Sequence, residues 1–600
     1  MTRHAVNFIL ACAACVLATS SPVFPQEQPA AAPVTAQSTS TDSPQSQPLK
    51  FTAKSQLVLV PVVVTRGGAP VTGLKKEDFK VFENGKEQKL SVFESIQADS
   101  SPITINVRRQ PALQQFSNMQ VDQRQAKRLV IIVLDMINTN FADRSFARQE
   151  LAKYLSTGVD DGALVSLVAL GRGRVRILHD FTSRPGVLAA ALNKALGNKD
   201  TNVDNVDVAN LPPDQAKVFE SEVNRLSNFL EDGRFAGFPF GPTREGGITR
   251  WLRARETLDG LNLIAQAYAG VPGRKALIWA TGGFPFQIDG STMLLDTGHM
   301  AGARMERMDQ QDLSSILSYY EETWQLMNNA NFAIYPIDLR GLVTTNISAD
   351  QHINVRRPGQ QMQHKQALNT DTLATFGTFA DMTGGRAYYN TNDLAKSFKL
   401  ATQDSASYYL LAYYVDKSTA QEKGKNWRKL KVKVDVSGVD VRARSGFFMQ
   451  EANPSQLKDE TDLALTSPLD FTGLPLTVRW LDQPSDSPQQ KGEAQADNKK
   501  KVKFELILPP NAAAIDGSDN NAVSLKVVAS ARTSDAKDVS GLDQTINGHL
   551  KPETVERMRT TGFTFKSDIA LPPGSYSVRF VVHDNISGRT GSVAAPLTVN

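Results

Sequence analysis

The stretch RLVIIVLDMINTN, from Arg128 to Asn140, decides the fold that the sequence predicts. Its first part, Leu129–Leu134, holds six apolar residues without a polar break. Unbroken apolar runs are typical of central parallel strands, because helices cover both faces of such a sheet. Three oxygen-bearing residues follow the run: Asp135, Asn138 and Thr139. Open α/β sheets bind ligands just past the carboxyl ends of their strands, so we expect a binding edge here.

Apolar runs and helical stripes alternate through residues 127–402. The runs predict further strands at Ala163–Leu170, Arg174–His179, Ala276–Ala280 and Phe332–Ile337. Alternation of strands with helices predicts a parallel sheet that carries helices on both faces. Two long insertions, residues 197–250 and 342–366, interrupt the pattern. Insertions of this length are commonly functional or disordered.

The segments on both sides of this region predict antiparallel β-structure. Residues 54–102 contain an apolar strand and a strong hairpin turn at Asn84-Gly85. Residues 405–450 contain three strand patterns, which we expect to pair with the first segment in one β-sandwich. Residues 468–600 contain six strand patterns separated by turns, and this spacing predicts an immunoglobulin-like sandwich.

The N-terminal residues predict export from the cytoplasm. Residues 1–20 combine basic residues, an apolar run and small residues before a cleavage point, which is typical of a signal peptide. The run is too short to span a bilayer well, so we expect a secreted or periplasmic chain that is not an integral membrane protein. Residues 21–53 predict a disordered linker. Cys12 and Cys15 both lie in the signal segment, so the mature chain should hold no disulfide.

Composition limits the class of protein. A length of 600 residues predicts several domains, and 41% apolar with 21% charged residues excludes disorder throughout. A formal charge of +4 argues against a nucleic-acid partner. The seven histidines show no metalloprotease spacing, and the chain has no nucleophile elbow or phosphate-binding loop. His179-Asp180 is interpreted as a turn. These patterns favour a protein that is not an enzyme.

Seven segments, taken in order, resemble the VWFA-related Acidobacterial domain proteins, a family of secreted bacterial proteins. They fall between about Phe51 and Phe448 and read VPVVVTRGGAPVTGLKKEDFKVFENGK, VIIVLDMINT, ALIWATGGFP, AIYPIDLRGL, LATFGTFADMTGGRAYYN, YYLLAYYVDKS and KLKVKVDVSGVDVRARSGFF. The resemblance implies an α/β fold of the von Willebrand factor A (vWA) type over residues 127–402. In that fold a Rossmann-like, mostly parallel sheet carries helices on both faces, and here all-β sandwich domains would flank it. Fold alone implies little about chemistry.

The resemblance also implies a metal-ion-dependent adhesion site, which begins D-x-S-x-S in the family. Asp135 and Thr139 match this pattern, but Ile137 replaces the first hydroxyl. The strand that usually ends T-D-G ends here in Thr281-Gly282-Gly283, without the carboxylate. The site is therefore degenerate, and no cofactor is expected. The alternative is Mg²⁺ or Mn²⁺ held by Asp135 and Thr139, with Asn138, Thr281 or Asp338 completing the oxygen ligands. In a purely structural interpretation, Asp135 and Asn138 cap the next helix and tie down the loop.

Two further groups are candidates for contact with a partner. Asp338 could bind a basic group, and Arg340 could take a carboxylate with two hydrogen bonds. Alternatively, these two residues pair with each other and stabilise their loop. Phe235, Phe238 and Phe240 could anchor a protein partner, or they could pack against the chain's own surface.

The sequence thus predicts an exported, non-enzymatic vWA protein that binds a protein ligand at the cell envelope. Its predicted binding residues are Asp135, Asn138, Thr139, Thr281, Asp338 and Arg340. Two alternatives stay open. One is a secreted hydrolase whose site combines the insertions with Asp135, Asp338 and His352. The other is a structural component of an envelope assembly that makes contact through residues 468–600.

Overall fold

A computed structural model describes residues 55–97, 114–119, 128–157, 159, 163–171, 174–197, 244–284, 310–342, 372–416, 427–449, 454–481, 499–533, 535 and 537–599. The predicted signal peptide and linker, Cys12, Cys15, the three phenylalanines of the first insertion and His352 lie outside these residues. Within the described residues, no helix is long and apolar enough to cross a membrane.

Strands make up most of the regular structure. They are β1 (Ser55–Arg66), β2 (Ala69–Pro70), β3 (Phe79–Glu83), β4 (Lys86–Gln88), β5 (Val92–Gln97), β6 (Gln115–Ser117), β7 (Leu129–Asp135), β8 (Leu164–Gly171), β9 (Arg174–Thr182), β10 (Lys275–Thr281), β11 (Phe332–Asp338), β12 (Ser407–Asp416), β13 (Trp427–Val434), β14 (Asp440–Arg442), β15 (Gly446–Phe448), β16 (Thr477–Trp480), β17 (Lys500–Leu508), β18 (Ala522–Arg532), β19 (Asp538–His549), β20 (Phe563–Leu571), β21 (Gly574–Asp584) and β22 (Arg589–Val599). The helices are α1 (Phe141–Thr157), α2 (Pro185–Gly197), α3 (Arg244–Ala267), α4 (Gln310–Asn329), α5 (372–383), α6 (Leu394–Asp404), α7 (Pro454–Thr466) and α8 (Pro552–Thr561).

The predicted fold class is wrong for the chain as a whole. Four of the five sheets formed by the described residues contain only antiparallel pairs. The chain is therefore β-rich and dominated by sandwiches, not an α/β protein built on a mostly parallel, Rossmann-like vWA sheet. The physical reason is burial. Most strands outside the central unit bury one face and pair with antiparallel neighbours, whereas double-sided burial is confined to a few central strands.

The fifth sheet is mixed and forms the central unit. Its order is β11-β10-β7-β8-β9, with parallel pairs from β11 to β8 and an antiparallel β9 at one edge. Every residue of β7, β10 and β11 is buried. Helices α1, α2 and α6 pack on one face of the sheet, and α3, α4 and α5 pack on the other. The carboxyl ends of β7, β10 and β11 meet at one edge, which we call the carboxyl edge.

Strands from both sides of the central unit form one sandwich. β1 pairs with β12, and β12 pairs with β5. β13 pairs with β3 in the facing sheet. A shared apolar core, including Val60, Val81 and Leu411, lies between the two sheets. The turn predicted at Asn84-Gly85 is confirmed, because both residues have left-handed backbones, with φ of 48° and 84°, between β3 and β4.

A second sandwich lies toward the C-terminus. One sheet has the order β20-β17-β16-β6, and the other has the order β19-β18-β21-β22. Its core includes Trp480, Phe504 and Phe580. The guanidinium of Arg579 crosses to α7 and donates from Nε to the carbonyl of Ala464 over 3.0 Å.

Candidate functional site

The carboxyl edge brings together predicted site residues from three strands. Asp135 ends β7, Thr281 ends β10 and Asp338 ends β11. Thr281 and Asp338 are direct partners in the parallel ladder. Thr281 Oγ1 also lies 2.8 Å from Asp135 Oδ2, to which it donates. Parallel strands in register end together, so the geometry follows from the strand pattern.

The carboxylate of Asp135 is surrounded by donors. Its Oδ1 accepts from the main-chain N–H groups of Ile137 and Asn138, each over 3.0 Å. Its Oδ2 accepts from Asn138 Nδ2 over 2.8 Å and from Trp279 Nε1 over 3.1 Å, besides the hydroxyl of Thr281. The residue is only 1% exposed. Asp135 therefore makes five hydrogen bonds inside a water-excluded site.

Burial and hydrogen bonding act in opposite directions on Asp135. Burial raises the pKa of its carboxyl group, while the hydrogen bonds from Asn138, Thr281 and Trp279 lower it, and the net shift is upward. All five hydrogen bonds, from four residues, are donated to the carboxyl group, which suits an ionised carboxylate because that form only accepts. The arrangement leaves no lone pair directed at solvent to serve a base or a ligand.

The loop after β7 is tied to two other elements. Thr139 Oγ1 donates to the carbonyl of Asp135 over 2.5 Å and accepts from the N–H of Gly282 over 2.9 Å. Asn138 Nδ2 also donates to Thr257 Oγ1 of α3 over 2.8 Å. Gly282 permits this approach, since an added Cβ would lie 2.9 Å from the carbonyl oxygen of Asn138. Four predicted site residues thus form one closed network.

The helix cap differs from the structural interpretation. Asn140 Oδ1 accepts from the N–H of Asp143 over 2.9 Å, so Asn140 caps α1. The side chains of Asp135 and Asn138 bond instead to their own loop, to β10 and to α3. Their role is to hold the loop against β10 and α3.

The residues present do not fit a divalent cation. Mg²⁺ and Mn²⁺ need several available oxygen ligands. Both carboxylate oxygens of Asp135 are already bound, and two of their donors, Trp279 Nε1 and Asn138 Nδ2, are nitrogens that carry hydrogen. Ile137 offers no oxygen in its side chain. No group of three or more His, Cys, Asp or Glu capable of holding a metal occurs among the described parts of the chain.

This misfit predicts the outcome of a metal titration. We expect the same Tm in EDTA and in millimolar MgCl₂ or MnCl₂, and no saturable heat in calorimetry, because bound metal would stabilise the folded state. Asp135→Asn serves as the matched variant. A metal-dependent rise in Tm that this variant abolishes would contradict the prediction.

Asp338 and Arg340 form an internal pair. Arg340 donates from Nη2 to Asp338 Oδ2 over 2.7 Å, and from Nε to Oδ1 over 2.9 Å. Its main-chain N–H adds a third bond to Oδ1 over 3.0 Å. The Asp338 side chain is fully buried, whereas that of Arg340 keeps 22% of its surface exposed. Asp338 therefore orients Arg340 and does not itself face a partner.

Exposed apolar residues lie beside this pair, and sequence reasoning missed them. Leu342 is 56% exposed and Tyr389 is 44% exposed. The N–H of Leu342 binds Asn392 Oδ1 over 2.8 Å. The residue before Tyr389 forms a parallel bridge with Ile337 of β11, which brings Tyr389 to the same edge. We call Arg340, Leu342, Tyr389 and Asn392 the rim patch. Their exposure depends on loop packing, which no local sequence pattern reports.

His179 has a structural role. His179-Asp180 lies inside β9 and is not the turn that the sequence suggested. The ring Nδ1 of His179 lies 2.6 Å from the carbonyl of Asp180. Ser166 Oγ donates to the carbonyl of His179 over 3.0 Å, which ties β8 to β9.

The comparisons with known proteins are weak. No protein-family model matches the chain, and no curated protein matches it. The family resemblance seen in the sequence therefore stays a prediction. A solved beta-glucuronidase of Bacteroides uniformis is similar at 10% identity and a TM-score of 0.14, over 32% of this chain and 19% of that one. The pilus adhesin SpaC of Lactobacillus rhamnosus GG, in its open conformation, is similar at 8% identity and a TM-score of 0.22, over 85% of this chain and 56% of that one. The chain thus spans about a fifth of the first structure and just over half of the second. Likenesses at these TM-scores carry no conclusion about function.

Proposed function

We propose that the chain is an exported, non-enzymatic binding protein that contacts a protein ligand through the rim patch. The observation that carries this proposal is the combination of exposed Leu342 and Tyr389 with the oriented guanidinium of Arg340. Tyrosine and arginine are enriched among residues that dominate binding energy at protein interfaces. The proposed location, secreted or periplasmic, rests on the N-terminal sequence pattern alone.

The arrangement of Arg340 suits recognition. Asp338 binds Nε and Nη2, so the side chain is already ordered before a ligand arrives. Preorganised groups lose less conformational entropy on binding. The third nitrogen, Nη1, takes no part in either bond and can donate to a carbonyl or carboxylate of the ligand. The predicted ligand surface is therefore an acceptor group next to an apolar patch.

The alternative of a hydrolase finds less support at this edge. That alternative combined the insertions with Asp135, Asp338 and His352, and the last of these lies outside the described residues. Asp135 accepts five hydrogen bonds, and Asp338 is bound on both oxygens by Arg340. Both residues are 1% exposed. A general base must reach the proton of a substrate, and neither carboxylate has that access.

The test is a quantitative capture from envelope extract. The full chain is compared with the double variant Leu342→Ser/Tyr389→Ser and with Arg340→Ala. The matched control is Leu400→Ser/Tyr414→Ser, which removes an exposed leucine and an exposed tyrosine from α6 and β12. We expect the rim variants to lower the affinity for the captured protein about tenfold or more, and the control to leave it unchanged. Equal capture by all variants would contradict the proposal.

A further inference from the structure

The strand β19 lies at one edge of the C-terminal sandwich. Among the described residues it forms a ladder with β18 alone, across register pairs from Ala522↔His549 to Arg532↔Asp538. It is twelve residues long. A strand with one open side presents unpaired main-chain N–H and C=O groups, which can accept a further strand.

The other edges of this sandwich carry features that discourage strand addition. β6 has only three residues. β20 presents Lys566, whose side chain is 65% exposed while its Nζ lies 3.4 Å from Glu505 Oε1. β22 contains Pro596, and near its start Thr590 and Ser592 already form main-chain hydrogen bonds with Leu474 and Phe471. β19 contains no lysine, arginine or proline. Charged side chains, proline and covering segments are the usual protection of sheet edges.

The charges of β19 are balanced within its own sheet. Asp543 lies 3.6 Å from Lys526 Nζ, and Asp538 Oδ1 lies 2.7 Å from Arg532 Nε. Both bases belong to β18. The edge therefore has no uncompensated acidic charge that would repel an identical strand.

The pattern of β19 favours one antiparallel register with itself. When two copies of a strand pair about a two-fold axis perpendicular to the sheet, even-numbered residues lie opposite even-numbered residues, and odd opposite odd. The residue on the axis therefore lies opposite its own copy. Centring on Gln544 sets Leu542 opposite the second copy's Ile546, and Asp543 opposite its Thr545. Leu542 and Ile546 both pack on the sandwich core. Centring on Asp543 would instead oppose two like charges, which is destabilising.

We propose that the chain forms a two-fold dimer by antiparallel pairing of β19 with β19, centred on Gln544. The occupant of this edge is a second copy of the same chain. Pairing joins two four-stranded sheets into one eight-stranded sheet. It also extends the two sandwich cores toward each other through Leu542 and Ile546. This surface lies in the C-terminal sandwich, and the proposal does not depend on the rim patch.

Sedimentation velocity over a range of concentrations tests the dimer. We expect a monomer–dimer equilibrium for the full chain. Gln544→Lys sets two lysines opposite each other at the axis and should raise the dimer Kd about tenfold or more. Thr564→Lys is the matched control, because it adds a lysine to β20, the edge strand of the facing sheet. A monomer at all concentrations, or equal dimerisation of both variants, would overturn the proposal.

Cysteine trapping tests the register. Gln544→Cys is placed in a chain carrying Cys12→Ser and Cys15→Ser. Residues opposite each other in a ladder have Cα separations that a disulfide spans. We expect Gln544→Cys to form a covalent dimer under mild oxidation and Ser540→Cys to form little, since Ser540 does not face its own copy. Equal cross-linking of the two variants would overturn the register.

Discussion

Replacing Asp135 by alanine is expected to destabilise the central unit by about 4 kcal/mol or more. The variant removes the acceptor of five hydrogen bonds in a site that excludes water, and the main-chain N–H groups of Ile137 and Asn138 and the indole N–H of Trp279 lose the acceptor they have there. Each unsatisfied buried donor costs about 1–3 kcal/mol, and relaxation of the loop recovers part of the sum. Asp135→Asn is expected to lose roughly half as much stability, because its remaining oxygen still accepts hydrogen bonds from two main-chain N–H groups.

The measurement must report on the central unit alone, because a chain with several cores need not unfold in one step. Hydrogen exchange of the β7 amides provides such a local readout. Asp435→Ala is the control, since it removes an exposed aspartate that pairs with Lys80 at the surface. Surface pairs contribute about 0–1 kcal/mol. If Asp135→Ala exchanged as slowly as the wild-type chain, the closed network would have no energetic role.

Replacing Lys275 by methionine is expected to stabilise the protein at neutral and acidic pH. Lys275 is fully buried at the start of β10, and burial lowers the pKa of its amine to about 7. Its Nζ donates to the carbonyls of Val271 and Gly273 over 2.5 and 3.3 Å. No acidic partner contributes to the shift, because desolvation is its only cause. Methionine matches the length of the side chain and carries no charge to bury.

The sign of the pH dependence follows from proton binding. Between pH values of about 7 and 10.5, the unfolded chain holds a proton on Lys275 that the folded chain lacks, so stability rises with pH. Below a pH of about 7 both states hold the proton, and the full penalty of roughly 5 kcal/mol remains. The advantage of Lys275→Met should therefore be largest at pH 6 and should shrink toward pH 10.

Urea unfolding at pH 6, 8 and 10 measures this difference. Subtracting the wild-type curve from that of the variant removes the contribution of every other titrating group. Lys431→Met, which replaces an exposed lysine in β13, is the control and should show no such trend. A stability difference for Lys275→Met that is independent of pH would contradict the assigned cause.

Local patterns predicted the central strands well. The apolar runs at Leu129–Leu134, Ala276–Ala280 and Phe332–Ile337 lie in β7, β10 and β11. Such runs report burial on both faces, which depends little on distant parts of the chain. The predicted fold class was wrong because the prediction gave the central unit too much weight relative to the antiparallel strands around it.

No local sequence pattern predicts several of the strands and helices. β19 carries Asp, Ser, Gly, Gln and Asn at most positions, because an edge strand at the sandwich rim buries little surface. The sequence predicts no element between residues 450 and 468, yet α7 lies there. β6 has only three residues and pairs with β16, which lies hundreds of residues later. Contacts of that kind depend on tertiary structure and leave no local pattern.

The sequence predicted which residues meet at the candidate site, but it did not predict that the carboxylate of Asp135 is already hydrogen-bonded on both oxygens. Asp135, Asn138, Thr139 and Thr281 were singled out, and they do meet. The sequence could not show that Trp279, two residues before Thr281, points its N–H at the same carboxylate. That single contact depends on the β7–β10 register. It adds one of the five hydrogen bonds that occupy both carboxylate oxygens of Asp135.

The pairing of β1 with β12 imposes an order on assembly. Val62 meets Tyr409, about 350 residues further along the chain. At about 5–20 residues per second, translation separates the two strands by roughly 20–70 s. Throughout that interval residues 55–62 of β1 lack the strand that completes their ladder, whereas Thr65 and Arg66 can already pair with β2. The chain therefore reaches its native topology only after synthesis has passed β12.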